Sequence, residues 1–280
     1  MTRIALLQMT SGIDPEANAR TIEAAVTDAA KGGASMLFTP EMSGLIDRDR
    51  QRAARHIVPE AQNPVLSAAR VAAHDAGIWL SLGSLAVKRE SSDPAETRWA
   101  NRTFLIAPDG SIAARYDKIH MFDVQLSTGE SWRESAAYAP GEAVVTAETP
   151  LGRLGLAICY DMRFPALFEE LGQLRCDAIS IPAAFTVPTG QAHWHLLLRT
   201  RAVEASAYVI AAAQVGEHED GRQTYGHSLV VDPWGEVLLD MGGTSPGLGF
   251  ADLDPARIAE VRSQLPSLAN RREISKSAAS

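Results

Sequence analysis

Cys159 closes a short apolar run, residues 154–158, and is followed by Tyr160-Asp161-Met162-Arg163-Phe164-Pro165. The run reads as a buried strand, and Pro165 as the first position of a helix over residues 165–171. A cysteine at such a corner holds its sulfur out of the sheet, among the exposed amides of the turn. That suits a nucleophile, because those amides can bind the oxyanion formed when sulfur attacks a carbonyl. The plainer reading of a lone cysteine is a buried structural thiol, and Cys159 by itself does not displace it. Three charged residues bear on the choice. Glu41 ends a strand-like segment in Phe38-Thr39-Pro40-Glu41, Lys118 ends a hairpin arm in Tyr116-Asp117-Lys118-Ile119-His120, and Glu134 sits in the loop Trp132-Arg133-Glu134-Ser135. Taken singly, each is a solvated charge. What sets them apart is shared placement: Glu41, Lys118 and Cys159 all stand at strand ends, where α/β proteins build their sites.

The elements that must carry these residues alternate from the start of the chain. Residues 4–9 read as a buried strand, and Asp14-Pro15 as a helix cap with proline at the first position. Ile22, Ala25, Val26 and Ala29 then recur at helical spacing, and Gly32-Gly33 ends the helix. Strands follow at 35–39 and 78–82, with a helix at 65–75 between them. Two hairpins are marked by Pro108-Asp109-Gly110-Ser111 and by Asp232-Pro233-Trp234-Gly235. Between the hairpins lie the Cys159 strand, a strand at 178–181, a helix at 192–206 and a strand at 208–212. Hairpins mixed with βα units predict two mixed sheets covered by helices. The segments Gly242-Gly243 and Gly247-Leu248-Gly249 lack the dinucleotide fingerprint and read as turns.

Composition narrows the class. The chain has 280 residues, 46% hydrophobic, and no linker-like segment divides it, so one large α/β domain is expected. A net charge of −8 argues against nucleic acid or an anionic membrane as partner, although a local pocket can still be cationic. Two cysteines, Cys159 and Cys176, imply no disulfide framework, and Cys176 reads as buried and inert. Neither the N-terminal apolar run nor residues 207–213 is long enough for a signal peptide or a membrane span, which predicts a cytoplasmic protein. His193 and His195, two apart on a helix, make a poor metal pair, and His120 or His227 as a papain-like partner of Cys159 is a minor alternative.

The residues around these positions resemble one family closely. Leu156-Ala157-Ile158-Cys159-Tyr160-Asp161-Met162-Arg163-Phe164-Pro165 is similar to the nucleophile segment of the carbon–nitrogen hydrolase, or nitrilase, superfamily. Phe38-Thr39-Pro40-Glu41, Tyr116-Asp117-Lys118-Ile119-His120 and residues 129–135 resemble its other site segments, in the same order along residues 3–254. The resemblance implies an α/β fold, a four-layer αββα sandwich, for residues 1–254, with 255–280 an extension that could cover a partner subunit. It implies that Glu41 is the general base, Cys159 the nucleophile that forms a thioester, and Lys118, with the Tyr160 N–H, the oxyanion stabiliser. Glu134 would position the substrate or buttress Lys118. The chemistry agrees: a thiolate needs a nearby cation or base, and an oxyanion a fixed positive charge. No cofactor and no metal are implied.

Trp194-His195-Leu196-Leu197-Leu198-Arg199-Thr200-Arg201 and Gly221-Arg222-Gln223-Thr224-Tyr225-Gly226-His227 look most like the Nit branch and its deaminated-glutathione amidases. His195 departs from that pattern, which has Glu after the Trp. The resemblance thus implies an amidase that cleaves a small 2-oxo acid amide with water. The alternatives are an ω-amidase acting on α-ketoglutaramate, an N-carbamoyl amino acid amidohydrolase, and a catalytically dead scaffold of the same fold. A substrate carboxylate would need a cation near Cys159. Arg163 is the candidate, against a structural ion pair with Glu169 or Glu170; Phe185 and Thr189 are candidates to line the pocket. A homodimer is expected, paired through the helix at 192–206, where Ala202, Ala205 and Ala207 would permit close approach, or through 165–171.

Overall fold

Side-chain alternation along the first strands sets the layers. In β1 (Thr2–Gln8), Ile4 and Leu6 enter one buried cluster while Ala5 and Leu7 enter another. After α1 (Pro15–Lys31), β2 (Met36–Phe38) repeats the division, with Met36 and Phe38 on one side and Leu37 on the other. The short α2 (Arg50–Ala53) and then α3 (Pro64–Ala76) lead to β3 (Trp79–Lys88), β4 (Trp99–Ile106) and β5 (Ile112–Asp117). Ile22 and Val26 of α1, with Val65, Leu66 and Ala69 of α3, close the outer cluster. This computed structural model describes residues 1–89, 96–126, 129, 131–272 and 274.

A two-stranded ribbon, β6 (Asp123–Gln125) and β7 (Ser131–Arg133), separates the halves. The second half holds β8 (Thr146–Thr149), β9 (Gly152–Leu156), α4 (Pro165–Gln173), β10 (Ala178–Ser180), α5 (Val187–Ala205) and β11 (Tyr208–Ala211). A second ribbon, β12 (Val215–Glu217) and β13 (Gln223–Tyr225), precedes β14 (Leu229–Val231), β15 (Val237–Asp240) and β16 (Gly247–Leu253). The first sheet runs β16-β1-β2-β3-β4-β5 and the second β15-β14-β11-β10-β9-β8. Each has three parallel central strands flanked by antiparallel ones. The sheets meet face to face, with Ser81 Oγ 3.5 Å from Ser180 Oγ, and helices cover both outer faces. The chain is a four-layer αββα sandwich, as the resemblance implied.

Several boundaries differ from the sequence reading. Residues 247–249 form the start of β16, not a turn: an edge position tolerates glycine, and a Cβ on Gly249 would sit 2.7 Å from Met241 Sδ. The helix expected at 192–206 begins at Val187, with Thr186 as its N-cap residue and Pro188 in the first turn. Ala202, Ala205 and Ala207, expected to face a partner subunit, are fully buried against their own chain. After β16, α6 (Pro255–Gln264) buries Ile258 and Val261, and Arg262 donates to Cys176 O (2.6 Å) and Ser206 O (3.1 Å). The four-residue α7 (Ser267–Asn270) follows, and Arg271 pairs with Glu169 on α4. Most of the tail beyond it lies outside the described residues.

Candidate active site

Close backbone contacts place each charged residue. β2 stops at Phe38, and Thr39-Pro40 turns the chain so that Glu41 leaves the sheet. Gly83 of β3 makes this possible, since a Cβ there would lie 2.0 Å from Thr39 O. The Gly83 N–H instead donates to Thr39 Oγ1 (2.9 Å), and Gln214 Nε2 donates to Glu41 O (3.0 Å). Lys118 follows β5; its N–H donates to Asn101 O (2.9 Å), and its carbonyl accepts from the Gly141 N–H (2.8 Å). Cys159 follows β9 in the left-handed region, φ +46°, and opens one 3-10 turn, Cys159–Arg163. Such a conformation is strained for a residue with a side chain and is held by its surroundings. The Cys159 N–H donates to Pro182 O (2.9 Å), whereas the Tyr160 N–H meets no acceptor among the described residues.

Asp161 binds this turn to the Lys118 segment. Its buried carboxylate accepts from the Ile158 N–H (2.9 Å), the His120 N–H (2.9 Å) and Tyr116 Oη (2.7 Å), and lies 2.7 Å from His120 Nδ1. From the other side, Arg201 of α5 donates to Met162 O (2.8 Å). His120 is thus committed to Asp161 and stacked on Phe164 at 3.6 Å between ring centroids, not paired with Cys159.

The charged groups meet in a buried cluster. Lys118 Nζ donates to Glu41 Oε1 (2.8 Å) and reaches both oxygens of Glu134, Oε2 at 2.9 Å and Oε1 at 3.2 Å. Asn101 Nδ2 bridges the same two carboxylates, 2.9 Å from Glu41 Oε1 and 3.2 Å from Glu134 Oε1. Glu134 is pinned further by the Phe122 N–H (2.7 Å), and Glu41 Oε2 by the Ala184 N–H (2.9 Å). Burial acts most strongly on Glu41 and pushes its carboxyl up. The charge and hydrogen bond of Lys118, with hydrogen bonds from Cys159 and Asn101, outweigh it and leave Glu41 below its ordinary value. Burial also dominates at Lys118 and pushes it down, but Glu134 and Glu41 reverse that and hold it charged. At Cys159, burial and then the Glu41 charge push the thiol well up, more than Lys118 pulls it down. Two carboxylates already outnumber one ammonium, so a resting thiolate would add a second excess negative charge in a buried site. Burial and the Glu41 charge thus favour the thiol over the thiolate.

The cluster floors a cavity of about 490 Å³. Among the described residues its walls carry Glu41, Asp47 and Glu134 against Arg48, Arg50, Lys118, Arg133 and Arg222, so an acidic chain holds a cationic pocket. The model of the family described as carbon–nitrogen hydrolase matches residues 3–263. The chain belongs to the carbon–nitrogen hydrolase family. It is 38% identical over 277 residues to the deaminated glutathione amidase of Yersinia enterocolitica, covering 97% of this chain and 93% of that one. The C. elegans NitFhit protein matches with a TM-score of 0.87 and 36% identity, over 97% of this chain and 65% of the worm chain. An amidase from Nesterenkonia sp. AN1, carrying the acetamide moiety of fluoroacetamide covalently on its active site cysteine, matches with a TM-score of 0.80 and 27% identity. That match covers 97% of this chain and 94% of the other.

In this carbon–nitrogen hydrolase, Phe185 and Thr189 line the cavity, Phe185 against Trp194 at 5.1 Å and Thr189 Oγ1 2.7 Å from Thr186 Oγ1. Arg163 is not in the wall. Its guanidinium lies over the rings of Tyr160 (5.8 Å) and Phe185 (5.4 Å) and reaches His193 Nδ1 at 3.3 Å, and it pairs with neither Glu169 nor Glu170. His195 lies outside the cavity with His227, both 2.9 Å from Asp240, where the three donor atoms come within 4.8 Å. Sequence reasoning missed Asn101; a polar residue on β4 between Trp99 and Phe104 was the available signal. Asp161 and Arg222 lie inside family-like segments, where nothing local to the sequence distinguishes them from their neighbours.

Proposed function

We propose that the chain hydrolyses a small 2-oxo acid amide, deaminated glutathione, by a thioester route. Cys159 Sγ attacks the amide carbonyl as Glu41 takes the thiol proton. The positive charge of Lys118 and the Tyr160 N–H stabilise the oxyanion, while Glu134 and Asn101 hold Lys118 and Glu41 in place. Glu41 then gives its proton to the leaving nitrogen, the C–N bond breaks, and the thioester remains. Water, deprotonated by Glu41, releases the acid and restores the thiol. Phe185 and Thr189 contact the substrate from the wall.

The observation that carries this reading is the Glu41–Lys118–Glu134 cluster at Cys159 under a cavity rich in arginine, which suits an anionic amide. Similarity to the deaminated glutathione amidase of Yersinia enterocolitica supports the substrate. Assays of deaminated glutathione, α-ketoglutaramate, N-carbamoyl amino acids and simple nitriles, run side by side, test it. The highest kcat/KM is expected for deaminated glutathione; preference for any other class overturns the substrate reading. Both cysteines are free, which suits the reducing cytoplasm we propose as its location. We also propose a homodimer, joined through the outward face of α5, where Leu196, Val203 and the neighbouring Trp234 are exposed.

A further inference from the structure

Among the described residues, three buried side-chain polar atoms have no hydrogen-bond partner: Asn101 Oδ1, Trp132 Nε1 and Arg222 Nε. All three residues line the same cavity. Unpaired buried polar atoms are rare and costly, so their clustering marks a wall shaped for a polar ligand. Asn101 already serves the charged cluster through its Nδ2. The other two are donors, and they sit together: the Arg222 guanidinium carbon lies 4.6 Å above the Trp132 ring.

Arg222 shares its acidic partner. Its ion pair is with Asp220, at 3.4 Å, and Asp220 also accepts from the Arg48 N–H at 2.8 Å, with Arg48 Nε 3.9 Å away. Asp220 is thus shared between two arginines, and the nearby Asp47 is bonded by Arg52 (2.6 and 2.9 Å). A carboxylate ligand, with two acceptor oxygens, would pair with the guanidinium that Arg222 brings to the cavity wall.

Position decides which end of the substrate this is. Glu41 returns its proton to the departing nitrogen, so the leaving half lies on the Glu41 side of the cavity. Arg48 belongs to the segment that runs on from Glu41. Arg222, in the turn of the β12–β13 ribbon, lines the same cavity as Glu41 and feels its charge. We propose that Arg222, seated on Trp132, determines specificity for the leaving half by binding its terminal carboxylate. The proposal rests on the amidase reading above and adds what recognises the departing amine: an aminoacyl or dipeptidyl unit ending in a free carboxylate.

The test compares deaminated glutathione with its C-terminal carboxamide, which differs only at that group. Wild type is expected to favour the carboxylate by about 10–100-fold, mainly through KM. In Arg222→Gln the ratio should fall toward one, and Arg222→Lys should keep part of it. A parallel fall for both compounds leaves the ratio unchanged and signals a structural role or contact with the 2-oxo carboxylate; either overturns the proposal, as does a wild type indifferent to the carboxamide. Titration of both compounds into Cys159→Ala, with and without Arg222→Gln, reads the same preference without turnover. If wild type hydrolyses neither compound but binding discrimination depends on Arg222, the substrate reading fails and this subsite stands. If deaminated glutathione is hydrolysed with a ratio indifferent to Arg222, the subsite fails and the substrate reading stands. Absence of binding to either compound overturns both.

Discussion

At the residue scale, the unusual feature is the setting of the proposed nucleophile, where burial and charge both act against loss of the thiol proton. Burial and the Glu41 carboxylate raise the Cys159 thiol above its ordinary 9.0, while Glu41 is held below its ordinary 4.5. Both directions oppose proton transfer ahead of attack, so the two are expected to occur together. Glu41 stays ionised as pH falls until its lowered pKa is reached, and Lys118 and Cys159 keep their protons as pH rises past their ordinary values. The kcat/KM profile should thus be flat between about pH 5 and 9, with the acid limb below 4.5. A limb in the middle of that window, seen in initial rates at saturating enzyme stability, would mean a resting thiolate. Glu41→Gln should cost about 10²–10⁴-fold in kcat without loss of fold, and Cys159→Ala should remove turnover altogether. Alkylation by a neutral reagent should be slow at pH 7 for both thiols, since burial also pushes Cys176 to about 12.

At the element scale, the site depends on turns that dock backbone to backbone. Gly83→Ala would drive a Cβ to 2.0 Å from Thr39 O, and the neighbour is main chain that cannot rotate away. The expected result is a stability loss of about 1–3 kcal/mol or more, with kcat falling about 100-fold as Glu41 shifts. Thermal unfolding and steady-state kinetics on the same preparation would check it. Asp161→Asn tests the bridge between the Lys118 segment and the nucleophile turn. An amide has one acceptor oxygen where the carboxylate has two, so at least one of the Ile158, His120 and Tyr116 donors is stranded. A loss of about 1–3 kcal/mol is expected, with Tyr116→Phe milder. Equal stability of Asp161→Asn and the wild type in urea would show that the bridge is dispensable.

At the scale of the molecule, the two sheets bury their shared faces within one chain, so the remaining apolar surface is what assembly can use. Leu196, Val203, Trp234 and Leu238 are exposed on or beside α5, at 65%, 41%, 47% and 45%. The alanines that would have favoured close helix approach are spent on the chain's own core. Pairing through the proposed face therefore requires large side chains to interdigitate, and a charge placed among them should break it. Light scattering at micromolar concentration should give a dimer for the wild type and a monomer for Val203→Asp. A monomeric wild type with full activity would remove the dimer from the account.

The sequence by itself determined the order of strands and helices, because period-2 and period-3.6 patterns are local and Asp14-Pro15, Gly32 and the Asp-Gly turns punctuate them. It also marked Glu41, Lys118, Glu134 and Cys159, since ends of buried strands and family-like segments are both visible in one dimension. It could not show that Asn101 clamps two carboxylates brought from distant segments, or that Asp161 serves three donors at once. Nor could it reveal that Arg163 stacks on Phe185 while Arg222 lines the cavity. Those are matters of which side chain a turn aims inward, and aim is fixed only when the two sheets pack. The protonation of Cys159 belongs to the same class: a thiol's pKa depends on burial and on the balance of charges around it, and both arise from tertiary structure alone.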